Sequence, residues 1–142
     1  MTATHIDLFD RTLNETKEWI DDVEYELETK DAKRALHALR AVFHALRDEL
    51  SIEQNAQLSA QLPTLLRGIY FEAWKPKFDV RHSDIDTFLD RVGLACEGYA
   101  PLFDPGTLVT SVFAVLERQI SGECSKIRAT LPKDLRNLWP ET

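Results

Sequence analysis

The chain has 142 residues, 44% of them apolar, and a formal net charge of −7, which is length and apolar content enough for one compact domain. No stretch approaches the ~18 uninterrupted apolar residues of a membrane helix, and MTATHIDLFDRT lacks the basic-then-apolar pattern of a secretory signal, so a soluble, cytoplasmic protein with no membrane partner is expected. An acidic chain is poorly placed to gather phosphates, because nucleic-acid affinity comes largely from cations that neutralise the backbone; a nucleic-acid partner is disfavoured.

Ile6, Phe9, Leu13, Thr16, Ile20, Val23 and Leu27 follow spacings of 3 and 4, which predicts an amphipathic helix from about residue 5 to about residue 28. Its other face is acidic. Residues 1–31 hold ten carboxylates against Arg11, Lys17 and Lys30, while residues 32–142 carry fourteen charges of each sign, so the whole imbalance sits in this first helix. Leu36, Leu39, Val42, Phe43, Leu46 and Leu50 form a second apolar stripe, closed by Ser51-Ile52-Glu53-Gln54, which has the form of a capping box opening a short third helix. Pro63 is unfavourable to helical geometry at Leu62 but suited to a first turn, so a fourth helix is expected from there to about Trp74.

The second half repeats this plan. Trp19-Ile20-Asp21-Asp22-Val23 matches Phe88-Leu89-Asp90-Arg91-Val92 at an offset of 69, and Val42-Phe43 with Leu46 matches Val112-Phe113 with Leu116 at 70. Leu62-Pro63 with Leu66-Arg67 matches Leu131-Pro132 with Leu135-Arg136 at 69, and Ser51 falls on Ser121 at 70. Such a match exceeds what two amphipathic helices share by their period alone. Between the copies, residues 75–83 read as a linker, with Ser83 or Asp84 capping a fifth helix; Phe78 and Val80 alternate with polar neighbours, but a lone strand has no partner, so the segment is expected to be loop. Pro101, Asp104, Pro105 and Gly106 break the chain before the sixth helix. The expected fold is all-α: about eight helices in two tandem four-helix units, residues 5–74 and 84–140, related by an approximate twofold axis within a single domain.

The run from Arg34 to Asp48, followed by Ala60-Gln61-Leu62-Pro63, Arg67-Gly68-Ile69-Tyr70 and Glu72-Ala73-Trp74, resembles a bacterial family of unknown function, DUF2267. The resemblance extends to Phe88-Leu89-Asp90-Arg91-Val92 and the closing Leu131-Pro132 with Leu135-Arg136. It implies a small bacterial all-α protein and brings no activity, ligand or catalytic residue with it.

The second helix repeats a word, His37-Ala38-Leu39-Arg40 and His44-Ala45-Leu46-Arg47. At 100° per residue, Lys33, His37, Arg40, His44 and Arg47 fall within about 80° of arc, roughly 120° from the apolar face. The histidines stand about 10.5 Å apart along the axis, so they cannot share one zinc ion, whose nitrogen ligands lie at about 2.0–2.1 Å. The ordinary account of this basic strip is ion pairing with the acidic first helix. The sharper one rests on asymmetry: seventy residues on, His37, Arg40, His44 and Arg47 are replaced by Thr107, Thr110, Ala114 and Glu117. A scaffold needs its packing in both copies, whereas a recognition surface needs its chemistry in one. The strip is therefore the candidate binding site for a protein partner or for self-association.

Other residues weigh less. Trp19, Trp74 and Trp139 read as packing aromatics, Cys96 and Cys124 as buried thiols in a reducing compartment, and Arg67 and Arg136 as structural contacts to a helix C-terminus. His44 with Asp48, and Ser51 nearby, supply the only enzymatic alternative, weakened because Ser51 already has a role as a cap and no Gly-x-Ser-x-Gly elbow surrounds it. No phosphate-cradling glycine loop and no ligand-spaced cluster is present, so no metal or cofactor is expected. A non-enzymatic helical interaction module is favoured, ahead of a small-molecule binder with an apolar cavity between the units.

Overall fold

In a computed structural model the chain is described over residues 4–98 and 103–141, and these form eight helices and no strand. They are α1 (Asp7–Leu27), α2 (Ala32–Arg47), α3 (Ile52–Ser59), α4 (Thr64–Tyr70), α5 (Ile85–Ala95), α6 (Pro105–Gln119), α7 (Ser121–Thr130) and α8 (Lys133–Arg136). Their boundaries follow local chemistry. α1 ends at Glu28, whose left-handed backbone (φ 54°) turns its N–H back to the Glu24 and Tyr25 carbonyls. Asp31 caps α2 by accepting from the N–H groups of Lys33 and Arg34, and the capping box expected at Ser51 and Gln54 is formed in both directions. Asp84, not Ser83, caps α5, and Asp104 caps α6 with Pro105 in its first turn. Pro101 lies outside the described residues.

α4 stops four residues earlier than expected. Its last turn is taken up by a bend in which Ala73 adopts a left-handed backbone (φ 52°), and the carbonyls freed there are bonded by side chains from α2, described below. Residues 75–83 are irregular, as expected of the linker.

α2 and α6 cross at the centre, with α1 packed on both, α5 on both, α4 against α1 and α2, and α7 on α6. Val42, Phe43, Leu46, Val109, Val112, Phe113 and Leu116 are fully buried at that crossing. Two aromatic clusters flank it. Phe43 meets Trp19 and Tyr70 edge-on, with ring centroids 6.3 and 5.4 Å away; Phe113 meets Phe88 at 6.4 Å and stacks on Trp139 at 4.1 Å. Each member of the second cluster lies 69 or 70 residues beyond a member of the first. Cys96 and Cys124 are buried free thiols, their pKa values pushed up by burial to about 11 and about 12.

Along the stripe of α1, Thr16, Ile20, Val23 and Leu27 are buried, whereas Ile6 and Phe9 are about half exposed. The reason is length: α1 runs past the end of the α2 and α6 packing surface, and the seven-residue α4 covers its first turns only in part.

Candidate functional site

Three residues of the strip on α2, Arg40, His44 and Arg47, converge on one place, the end of α4 and the bend that follows it. Arg40 holds Glu72 with two bonds, its Nε donating to Oε1 at 2.8 Å and its Nη2 to Oε2, a fork geometry that fixes both side chains. This pairing keeps the Glu72 carboxyl below its ordinary range. One turn on, His44 donates from Nε2 to the Ile69 carbonyl at 2.8 Å; because a carbonyl only accepts, the neutral ring carries its proton on Nε2. Burial lowers the pKa of His44, and the neighbouring Arg47 and Arg40 charges act in the same direction, against the Ile69 carbonyl and Glu72.

Arg47 is the most deeply placed, with 9% of its side chain exposed. Its Nη1 donates to the Tyr70 carbonyl at 2.7 Å and to the Glu72 carbonyl at 2.6 Å. Tyr70 in turn donates its hydroxyl to Asn55, whose amide returns to the Arg47 carbonyl at 3.0 Å. The circuit ties α2, α3 and the end of α4 to one another, and burial drives the Tyr70 pKa far upward. A guanidinium spends its donors here on orphan carbonyls that a helix end would otherwise bury unpaired.

The expected ion pairing between α1 and the strip is not what these side chains do. Arg40, His44 and Arg47 turn to residues 69–72, while the α1 carboxylates Asp22 and Glu26 are taken by Arg118 of α6 at 3.3 and 2.6 Å. His37 stands apart from the clamp; its carbonyl accepts from the Cys96 thiol at 3.7 Å, and burial with the nearby Arg40 charge lowers its pKa. The catalytic alternative is also dispersed: His44 is committed to Ile69, Asp48 lies 4.0 Å from the Arg47 Nε, and Ser51 accepts from the Gln54 N–H. Among the described residues no three His, Cys, Asp or Glu side chains converge as metal ligands. Arg67 makes the helix-end contact expected of it, donating to the Ser59, Ala60 and Leu62 carbonyls at the close of α3.

Two features escaped the sequence. Glu49 has a wholly buried side chain just beyond α2. It accepts from the Ser83 N–H at 2.8 Å and lies 3.6 Å from His82 and 3.5 Å from Arg91, so it fastens the far end of the linker. Nothing in the pattern marks a lone glutamate at a helix end as core. The second is an open groove of about 450 Å³ between the first turns of α1 and α4, almost wholly apolar, lined by Leu8, Phe9, Leu13, Leu65 and Gly68. The Thr12 hydroxyl forms its seam by accepting from the Leu65 N–H at 2.8 Å. The signal available was Leu8, an apolar residue off the stripe.

The description "uncharacterized conserved protein (DUF2267)" belongs to a family whose pattern matches residues 16–138, most of the chain. The chain belongs to this family. The match takes in the whole clamp, from α2 through Glu72, as well as Glu49 and Arg91, whereas Leu8, Phe9, Thr12 and Leu13 on the α1 side of the groove precede it. No curated protein matches the chain, and no described helix is long and apolar enough to cross a membrane.

Proposed function

We propose that this DUF2267 chain is a non-enzymatic helical interaction module of the cytoplasm that docks a protein partner in the groove between α1 and α4. The observation that carries the reading is the gathering of exposed apolar side chains at one place: Leu8 is 56%, Phe9 49% and Leu65 40% exposed, and all three line the same concavity. Contiguous exposed apolar surface of this kind marks interaction sites more often than scattered single residues do. Gly68 supports it. A glycine inside a helix costs about 1 kcal/mol relative to alanine, and a Cβ there would meet nothing within 4 Å. Packing does not require the glycine; its lack of a side chain leaves the groove open.

On this reading the basic strip acts on the site from behind. Arg40, His44 and Arg47 hold the end of α4 against α2, and the opposite side of α4 supplies Leu65 and Gly68 to the groove. Within this clamp Arg40 and Glu72, 40% and 37% exposed, are the side chains most open to a partner. The same proposal takes the chain as a doubled four-helix unit, supported by its paired aromatic clusters. The test is Gly68→Leu, which fills the groove at an exposed position. Its melting temperature should equal or exceed that of the natural chain, and any partner captured by the natural chain should be lost. Capture retained by Gly68→Leu but lost in Arg40→Thr would return the site to the strip; binding of a small apolar ligand, seen as a ligand-dependent rise in melting temperature, would favour the small-molecule reading.

A further inference from the structure

The linker carries the most exposed large apolar side chain of the described residues. Phe78 is 95% exposed and is flanked by Lys75, Lys77 and Arg81 against the single carboxylate of Asp79. Both ends of this segment are fixed: Trp74 packs on Phe71, with ring centroids 4.9 Å apart, and Glu49 holds the Ser83 N–H. The tip is thus a phenylalanine held away from the body on a short basic loop. The groove presents the complementary features. It is apolar, and it is built on the first turns of α1, where exposed Asp7 and Glu15 and half-buried Asp10 outnumber exposed Arg11.

We propose that the occupant of the groove is the linker of a second copy, with Phe78 seated between Leu8, Phe9 and Leu65 and its lysines and arginine facing the α1 carboxylates. The proposal rests on the reading of the groove as a docking surface and names its partner. Because each copy has one such loop and one such groove, two copies can exchange them about a twofold axis and close as a dimer. Charge also weighs against the simpler pairing of groove on groove, which would bring the Asp7, Asp10 and Glu15 carboxylates of two α1 helices together with only one Arg11 on each. Each insertion covers little more than one aromatic side chain, about 150–250 Å², so the contact lies well below a standard stable interface. The dimer is therefore weak, and salt weakens it further.

Sedimentation equilibrium from micromolar to millimolar protein at low salt tests this. The natural chain should rise from one chain mass toward two as concentration increases, and added salt should reverse the rise. Phe78→Ser and Leu65→Ser, both at exposed positions and both checked for an unchanged melt, should each remain monomeric. An equimolar mixture of the two variants should regain part of the association, since one intact loop then meets one intact groove. A natural chain that stays monomeric at millimolar concentration, or a dimer that survives Phe78→Ser, overturns the inference. In either case the docking reading stands or falls separately, on whether Gly68→Leu loses a foreign partner.

Discussion

Among the described residues two arginines of the second half, Arg91 and Arg118, hold carboxylates of the first, and the two crossings carry opposite polarity. Glu49, just past α2, faces Arg91 of α5 at 3.5 Å; Arg118, near the end of α6, faces Asp22 of α1 at 3.3 Å. Arg91 lies 69 residues beyond Asp22, while the offset of 70 that relates α2 to α6 sets Arg118 opposite Asp48 and Gln119 opposite Glu49; the acid stands just past the second helix in one crossing and on the first helix in the other. What is kept between the two is opposition of charge at the crossing, while the helix that carries the acid is interchangeable. Burial then separates their duties. Glu49 is wholly buried and needs the Ser83 N–H as well as its cation, whereas Arg118 and Asp22 are 44% and 27% exposed and shared with water. One crossing anchors a linker; the other is a surface pair.

Reversing each pair should break this comparison most sharply. Glu49→Arg is expected to cost about 3–5 kcal/mol, the range for leaving a buried charge without its partner, and adding Arg91→Asp should not restore it, because an arginine at position 49 can neither fit the buried space nor accept from Ser83. Arg118→Asp with Asp22→Arg should unfold within about 1 kcal/mol of the natural chain, as exposed pairs do. Urea unfolding of the three variants checks both; full rescue of Glu49→Arg by Arg91→Asp would show that the buried crossing is only an ion pair.

The next contrast lies on α2 and α6. Arg47 spends its guanidinium on the backbone beyond α4, and the residue seventy places on, Glu117, instead pairs with Arg128, which also lies 5.8 Å above the Trp139 ring. Arg47→Met leaves two carbonyls short of a charged donor and should cost about 3 kcal/mol, while Glu117→Gln, still able to accept from Arg128, should cost about 1 kcal/mol or less. Equal losses would mean that the clamp on α4 is worth no more than a side-chain pair.

These contrasts also show what was legible beforehand. Helical periodicity at Thr16, Ile20, Val23, Val42, Leu46, Val112 and Leu116 places the core, because burial along one stripe is a local property of the pattern, and Ser51 with Gln54 or Asp104 with Pro105 announce helix starts through contacts a few residues apart. The partners of the strip were not legible. Glu72 and the carbonyls of residues 69–72 reach α2 only because α4 stops at Tyr70 and the chain bends at Ala73, and neither event has a proline or glycine to signal it. Glu49 was hidden for a related reason: a carboxylate is buried only when tertiary partners surround it, and those come from the linker and α5, more than thirty residues away.

Helix capping gives a smaller separation between the halves. Ser51 accepts from the Gln54 N–H and is the N-cap of α3, while Ser121, seventy residues on, is already the first helical residue of α7 and Ile120 stands at the cap without a side-chain bond. Ser51→Ala should cost about 1 kcal/mol and Ser121→Ala only a few tenths. A larger loss at Ser121 would place an unrecognised cap at α7.

The mildest effect is one of pH, and it belongs to the first half alone, since Ala114 stands where His44 has its counterpart. His44 is partly buried and its folded pKa lies below the ordinary 6.5, so the unfolded chain takes up the proton first and stability falls as pH drops through that value toward the folded pKa. His37 is shifted in the same direction and adds to the slope. Glu72 enters only in more acid solution, because Arg40 holds its pKa down and its contribution is lost only as pH falls through that lowered folded value. Urea midpoints of the natural chain should therefore decline from about pH 7 to about pH 5.5, and His44→Gln, which keeps an N–H for the Ile69 carbonyl but does not titrate, should decline less, with the remainder set by His37. If His44→Gln leaves the slope intact, protonation is not what loosens α4, and the hold on the end of that helix rests on Arg47 and Arg40.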